Sequence, residues 1–130
     1  MTTTPRILLT GVILELTLVT AIIHFTLGDT LFLLNAAGYL VLGAAYLLAV
    51  TLPMPAIRRF AWLPRIGLAT FASITIVAYL VIGPYFTLGW LTKGVELAIV
   101  LLVIADLLIG TDAGRSPRRP AASADRLPTP

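Results

Sequence analysis

Four apolar runs, each about as long as a bilayer is thick, constrain the fold of this chain more than any other feature. They cover residues 7–25, 31–52, 66–82 and 91–109. Because an α-helix rises about 1.5 Å per residue, roughly 20 apolar residues cross the hydrocarbon core of a membrane. The chain is 58% hydrophobic and 12% charged over 130 residues, which leaves too little polar surface to cover such a core in water. The sequence therefore predicts an all-α fold, a four-helix transmembrane bundle.

The distribution of Lys and Arg predicts the orientation of this bundle. Eight of the nine basic residues lie before the first run, between the second and third, or after the fourth: Arg6, Arg58, Arg59, Arg65, Arg115, Arg118, Arg119 and Arg126. The ninth, Lys93, belongs to a segment on the other side. Because Lys and Arg in short loops stay on the cytoplasmic side, both termini are predicted to be cytoplasmic. The expected location is the cytoplasmic membrane of a prokaryote.

Two segments outside the apolar runs carry most of these charges. Residues 56–63 mix arginines with Phe60 and Trp62, a composition typical of a short interfacial helix at the level of the inner headgroups. Residues 110–130 form a basic, Pro-rich tail that is predicted to be disordered unless bound. The basic residues expected to face lipid or a partner are Arg58, Arg59, Arg65, Arg118 and Arg119. No basic patch is interleaved with stacking aromatics, so nucleic acid is not an expected partner.

Glu15 is the candidate for an intramembrane functional acid. It lies near the middle of the first run. A charged side chain at the centre of a bilayer costs about 2.5–3.5 kcal/mol on insertion scales, so such a residue is neutral, paired or in contact with water. The functional interpretation is a proton relay or a cation site. The structural one is a protonated Glu15 that hydrogen-bonds to a neighbouring helix.

A polar stripe on the second run offers partners for this acid. Asn35, Tyr39 and Tyr46 are separated by four and seven residues, so they share one helix face. A short turn joins the first two runs, so they should pack antiparallel, with Tyr39 at the depth of Glu15. A hydrogen bond from Glu15 to Tyr39 or Tyr46 is therefore predicted, and ordinary packing of the tyrosines is the alternative.

The fourth run carries two more acidic residues. Glu96 follows Lys93 by three residues, a spacing that permits a local ion pair. Asp106 lies near the inner end of the run, within reach of inner-side water or of an arginine such as Arg58, Arg59 or Arg65. Both acids thus have structural explanations.

Few residues in the chain offer cofactor or catalytic chemistry. His24, near the outer end of the first run, is the single histidine, and it lies about 180° around the helix from Glu15. It is expected at the headgroup level, and the alternative is one axial ligand to a haem or pigment. The chain has no cluster of metal ligands, no catalytic set and no phosphate-binding loop. The sequence therefore predicts no metal site, no cofactor and no enzymatic activity.

Two resemblances bear on the function. Gly11-Val12-Ile13-Leu14-Glu15 resembles the first helix of the small multidrug resistance transporters, which implies a proton-coupled antiporter, although the charge bias disagrees with dual topology. Residues 33–40 and 92–96 resemble a group of uncharacterised small four-span prokaryotic integral membrane proteins. This second resemblance, over about residues 7–109, implies four helices and no assigned activity.

Together these features favour a non-catalytic accessory or structural subunit of a larger integral membrane complex, for example an energy-transducing one. Its expected partners are membrane lipids and other integral membrane subunits. The first alternative is a small proton- or cation-coupled transporter centred on Glu15. The second is a pigment- or haem-binding membrane subunit with His24 as its one ligand.

Overall fold

The computed structural model describes the backbone of residues 3–113 and the side chains of residues 4–110, and all regular structure in this part of the chain is helical. The helices are α1 (Thr3–Leu27), α2 (Thr30–Thr51), α3 (Pro55–Arg59), α4 (Trp62–Ile82) and α5 (Thr87–Ala113). The all-α prediction is confirmed for this part. Three helices, α1, α2 and α4, are long and apolar enough to cross a membrane. The fourth long helix, α5, carries the charged side chains of Lys93, Glu96 and Asp106.

The four long helices form a ring. α1 packs against α2 and α5, and α4 also packs against α2 and α5. Side chains near the start of α1 and α4 meet side chains near the end of α2 and α5. Neighbouring helices in the ring are therefore antiparallel, as in an up-down-up-down bundle with short connections.

The residues that face the interior repeat at intervals of three and four along each long helix. This spacing, 3.5 residues on average, keeps one stripe of a helix against its neighbours in a left-handed bundle. The stripes comprise Ile13, Thr17, Thr20 and His24 in α1, Ala36, Tyr39, Gly43 and Tyr46 in α2, Arg65, Leu68, Ala72, Thr75 and Tyr79 in α4, and Thr92, Glu96, Ile99, Val103 and Asp106 in α5.

The apolar core occupies the middle of these stripes. Ile13, Leu68, Ala72, Ile99 and Val103 are each shielded completely from solvent. On α4 and α5 they lie between polar or charged residues toward either end of the helix. The interior is therefore divided along its length into a polar cluster, an apolar layer and a second polar cluster.

The segment between α2 and α4 differs from the prediction. The expected interfacial helix over residues 56–63 is the shorter α3, and α4 begins at Trp62 rather than at residue 66. Pro64 is the third residue of α4, where a backbone amide has no acceptor within the helix, so proline does not interrupt it. Arg65 consequently belongs to α4. At the other end of the chain α5 reaches Ala113, and the remainder of the predicted tail lies outside the described residues.

Candidate functional site

Two fully buried carboxylates, Glu96 and Asp106, are the centres of the two polar clusters inside the bundle. They lie on the interior stripe of α5, ten residues apart, which is about 15 Å along the helix axis. A buried charge is stable only when it is paired and hydrogen-bonded. Asp106 is paired with Arg65 of α4, whereas Glu96 is paired with Lys93 of its own helix and accepts a hydrogen bond from Thr75 of α4.

The Glu96 cluster consists of Glu96, Lys93, Thr75, Tyr39 and His24. Glu96 Oε2 accepts hydrogen bonds from Lys93 Nζ and from Thr75 Oγ1, the latter at 2.9 Å. Tyr39 OH lies 2.9 Å from Thr75 Oγ1. The single Thr75 hydroxyl hydrogen is shared between Glu96 and the Ala72 carbonyl, which lies 2.8 Å away, so Tyr39 is the donor in its contact with Thr75. A chain of hydrogen bonds thus runs from α2 through α4 to α5.

His24 closes this cluster from α1. Its Nδ1 donates to the Thr20 carbonyl at 2.8 Å, because a carbonyl can only accept, and its ring lies 6.0 Å from Phe32 and 5.7 Å from Tyr39. The other nitrogen, Nε2, lies 3.6 Å from Glu96 Oε1. That distance is too long for a direct hydrogen bond, and Oε1 has no hydrogen-bond partner among the described residues.

The Asp106 cluster consists of Asp106, Arg65, Tyr46 and Arg6. Asp106 Oδ2 accepts from Arg65 Nε at 2.7 Å and from Tyr46 OH at 3.0 Å. The Arg65 guanidinium also lies 5.4 Å from the centre of the Tyr46 ring and donates to the Ala61 carbonyl. Arg6 Nε lies 3.8 Å from Asp106 Oδ1. One carboxylate therefore connects side chains from all four long helices.

The ion pairs on α5 confirm two predictions made from the sequence and correct a third. The pairing of Lys93 with Glu96 and the reach of Asp106 to Arg65 are confirmed. The prediction that Arg65 faces lipid or a partner is wrong, since the residue is 7% exposed. The reason is the earlier start of α4, which places Arg65 on its interior stripe. Arg58 and Arg59 are exposed, and Arg118 and Arg119 lie outside the described residues.

Glu15 does not meet its predicted partners. It lies two residues from both Ile13 and Thr17, about 200° around α1 from each of these buried side chains, so it is on the outer face of the helix and exposed. Tyr39 and Tyr46 are buried as the stripe indicates, but they hydrogen-bond to Thr75 and Asp106. Asn35, the third member of the stripe, is half-buried and lines a cavity of about 260 Å³ beside the Glu96 cluster. The predicted agreement in depth between Tyr39 and Glu15 is wrong, since Tyr39 packs against His24, nine residues and about 13 Å farther along α1.

His24, which is expected at the headgroup level, has its side chain buried inside the bundle near the end of α1. It is 3% exposed, and both ring nitrogens are directed at atoms inside the bundle. Its place follows from the interior stripe of α1, which ends at this residue.

The sequence does contain a pattern that predicts these clusters, although the position of each residue along its apolar run does not reveal it. On each long helix the buried polar residues are separated by three or four residues or by sums of these steps, which is the period of the interior stripe. On α5 this period links Glu96 to Asp106 through Ile99 and Val103. It also excludes Glu15 from the stripe that holds Ile13.

Comparison of the chain with models of known families, with curated proteins and with solved structures finds no match of any of the three kinds. The interpretation of the site therefore depends on its geometry.

Proposed function

We propose that this protein is a non-catalytic subunit of a larger integral membrane assembly, and that it contacts a neighbouring subunit through the outer face of α1. The observation that carries this proposal is the exposed Glu15. Among the described residues it has no hydrogen bond and no ion pair, whereas Glu96 and Asp106 have both.

The depth of Glu15 makes an unpartnered position costly. It is 12 residues from Thr3 and 12 from Leu27, about 18 Å along the axis from either end of α1. A side chain at that depth is too far from either surface to reach headgroup water. A charged group there costs about 2.5–3.5 kcal/mol on insertion scales. A hydrogen-bond donor from another helix removes much of that cost.

The surroundings of Glu15 are otherwise suited to lipid or to another helix. The outer face of α1 carries exposed apolar side chains: Leu8, Val12, Leu18, Val19, Ile22 and Phe25. In such a surface one carboxyl group gives direction to a helix contact, because polar groups hold transmembrane helices together at defined positions. The partner we propose is a transmembrane helix that presents a Lys, Arg, Ser or Thr at this depth.

The proposed topology has four spans and both termini on the cytoplasmic side. α5 is included as a span because Lys93, Glu96 and Asp106 are directed into the bundle, where each is paired. Its outward side chains, such as Leu101 and Leu108, are exposed and apolar. The excess of arginine at one end of the bundle supports the orientation.

The test removes the carboxyl group and measures assembly. We expect Glu15→Leu to reduce, by tenfold or more, the amount of partner that co-purifies with the full chain in mild detergent, as measured by native mass spectrometry. Leu18→Ala changes the same face without removing a polar group, and Asp29→Asn removes an exposed acid from the α1–α2 turn. Both control variants should retain the partner.

Two results would contradict the proposal. One is a wild-type chain that purifies from native membranes as a lone monomer with no co-purifying protein. The other is a Glu15→Leu variant that retains its partner at the wild-type amount.

The two alternatives are less well supported by the geometry. A transport path through the bundle centred on Glu15 would have to pass the outer face of α1, since the residue is directed away from the interior. Ligation of a haem or pigment by His24 would need a nitrogen free of the Thr20 and Glu96 contacts. The transporter and the pigment- or haem-binding subunit therefore stay predictions.

A further inference from the structure

A second cavity, of about 610 Å³, lies at the end of the bundle beside the Asp106 cluster. It is bounded by the start of α1, the end of α2, the α3–α4 junction and the last turns of α5. Three arginines, Arg6, Arg58 and Arg65, line it together with one carboxylate, Asp106. The cavity is separate from the outer face of α1, so a ligand site there does not depend on the proposed function.

The charges in this cavity do not balance. Asp106 is hydrogen-bonded to Arg65 at 2.7 Å, and these two charges offset one another. Arg6 is half-exposed and lies 3.8 Å from the same carboxylate. Arg58 is exposed and has no acidic partner among the described residues. Among the described residues that line the cavity, three guanidinium groups therefore face one carboxylate, which leaves an excess of positive charge.

Hydrogen-bond donors remain available as well. A guanidinium carries five N–H donors in a fixed planar arrangement. Arg65 uses one at Asp106 and one at the Ala61 carbonyl. Its remaining donors, with those of Arg6 and Arg58, match the geometry of phosphate oxygens, which arginine binds in a bidentate manner.

We propose that this cavity binds an anionic phosphate group, either the headgroup of an anionic phospholipid or free inorganic phosphate. Its volume is within the range of about 300–1,000 Å³ that is usual for ligand sites. Apolar side chains of Val50, Leu52, Trp62 and Leu107 complete the lining. Basic pockets between transmembrane helices near a membrane surface bind phospholipid headgroups in this way.

The adjacent pair Arg58 and Arg59 makes a matched test available. Both are exposed on α3, but only Arg58 is among the residues that line the cavity. Arg59 lies 5.9 Å from the centre of the Phe60 ring. Substitution of either by Gln removes one charge from the same segment, so a difference between the two variants reports on the cavity and not on overall charge.

The experiment uses the full chain in an uncharged detergent after delipidation. Binding of phosphatidylglycerol and of phosphatidylcholine is titrated by native mass spectrometry, with inorganic phosphate as a competitor. We expect phosphatidylglycerol to bind at least tenfold more tightly than phosphatidylcholine. Arg58→Gln should weaken this binding about tenfold, and Arg59→Gln should change it less than twofold.

The competition separates the two sources of phosphate. Displacement of phosphatidylglycerol by millimolar inorganic phosphate supports a site for the free anion. Retention of the lipid under that competition supports a headgroup site. Equal binding of the two lipids, or equal loss in the Arg58→Gln and Arg59→Gln variants, overturns the proposal. Thermal unfolding of both variants checks that the comparison is made on folded protein.

Discussion

At the scale of single residues, three acids in the four-helix bundle are stabilised by different surroundings. Glu96 is held by Lys93 and Thr75, Asp106 by Arg65 and Tyr46, and Glu15 by nothing within the described residues. The first two are buried and paired within the chain. Glu15 lies on the outside, where the proposed partner helix would supply its hydrogen bond.

The Asp106 cluster offers a test of how much a buried pair contributes. Arg65→Met removes the closest cation and leaves Asp106 as a buried charge whose remaining cationic neighbour, Arg6, is half-exposed and 3.8 Å away. We expect this variant to lose about 3–5 kcal/mol of unfolding free energy, measured by equilibrium denaturation in detergent micelles. The double variant Arg65→Met/Asp106→Leu should lose less than the single one, because no charge is then left unpaired.

Arg59→Met is the control for this measurement. The residue is exposed, and exposed charges contribute about 0–1 kcal/mol. An Arg65→Met variant as stable as the Arg59→Met variant would show that the buried pair does not stabilise the fold.

At the scale of helices, the contact between α4 and α5 includes one close approach of a side chain to a glycine. Tyr79, near the end of α4, lies directly over Gly89 at the start of α5 and donates to the Phe86 carbonyl at 3.1 Å. The Trp90 ring meets it edge to face at 5.5 Å. A Cβ atom at position 89 would lie 2.7 Å from Cε2 and Cζ of Tyr79. The hydrogen bond and the neighbouring ring limit how far Tyr79 can move away.

Substitution of this glycine should therefore destabilise the helix pair. We expect Gly89→Ala to lose about 1–3 kcal/mol of unfolding free energy, because inserted atoms in a packed contact force a shift. Gly94 lies on the same helix with open space where a Cβ would be added, so Gly94→Ala should be neutral or stabilising by up to about 1 kcal/mol. Thermal unfolding of the two variants side by side measures the difference. Equal melting temperatures would contradict the close-contact argument.

The predicted helices and helix faces agree with the structure where the residues of one segment determine them. They differ where those residues do not determine them. Every apolar run corresponds to one long helix. The predicted start of α4 is four residues too late, because the helix includes Pro64 and proline is accepted in the first turn. Tyr39 and Tyr46 are correctly predicted to share one face, since that follows from spacing within α2. Their partners are not, because those lie on other helices.

At the scale of the whole molecule, each polar cluster connects all four long helices. Glu96 is reached from α1 by His24 and from α4 by Thr75, and Tyr39 joins from α2. An apolar layer separates this cluster from Asp106. Such an interior fixes the register of the helices, because a shift of one would leave a buried polar group without its partner.

The absence of cysteine from the sequence makes the proposed topology directly testable. Thr26→Cys and Met54→Cys place single thiols at exposed positions at opposite ends of the bundle and keep the net charge. In intact cells, a membrane-impermeant maleimide should label position 26 and not position 54. After permeabilisation both positions should react.

Leu18→Cys, on the exposed apolar face of α1, is the control and should stay unreactive in both conditions. Labelling of positions 26 and 54 from the same side of the membrane would contradict the proposed topology.

The order of residues along the chain is sufficient to predict the number of long helices, their approximate ends and the local ion pair between Lys93 and Glu96. These depend on residues that are close in the chain, where helix period and hydropathy decide. The outward direction of Glu15, and the pairing of Arg65 with Asp106 41 residues away, emerge only when the helices are packed together. Which face of a helix is directed toward the interior is set by the sum of its contacts with the other helices. No single run of residues contains that information.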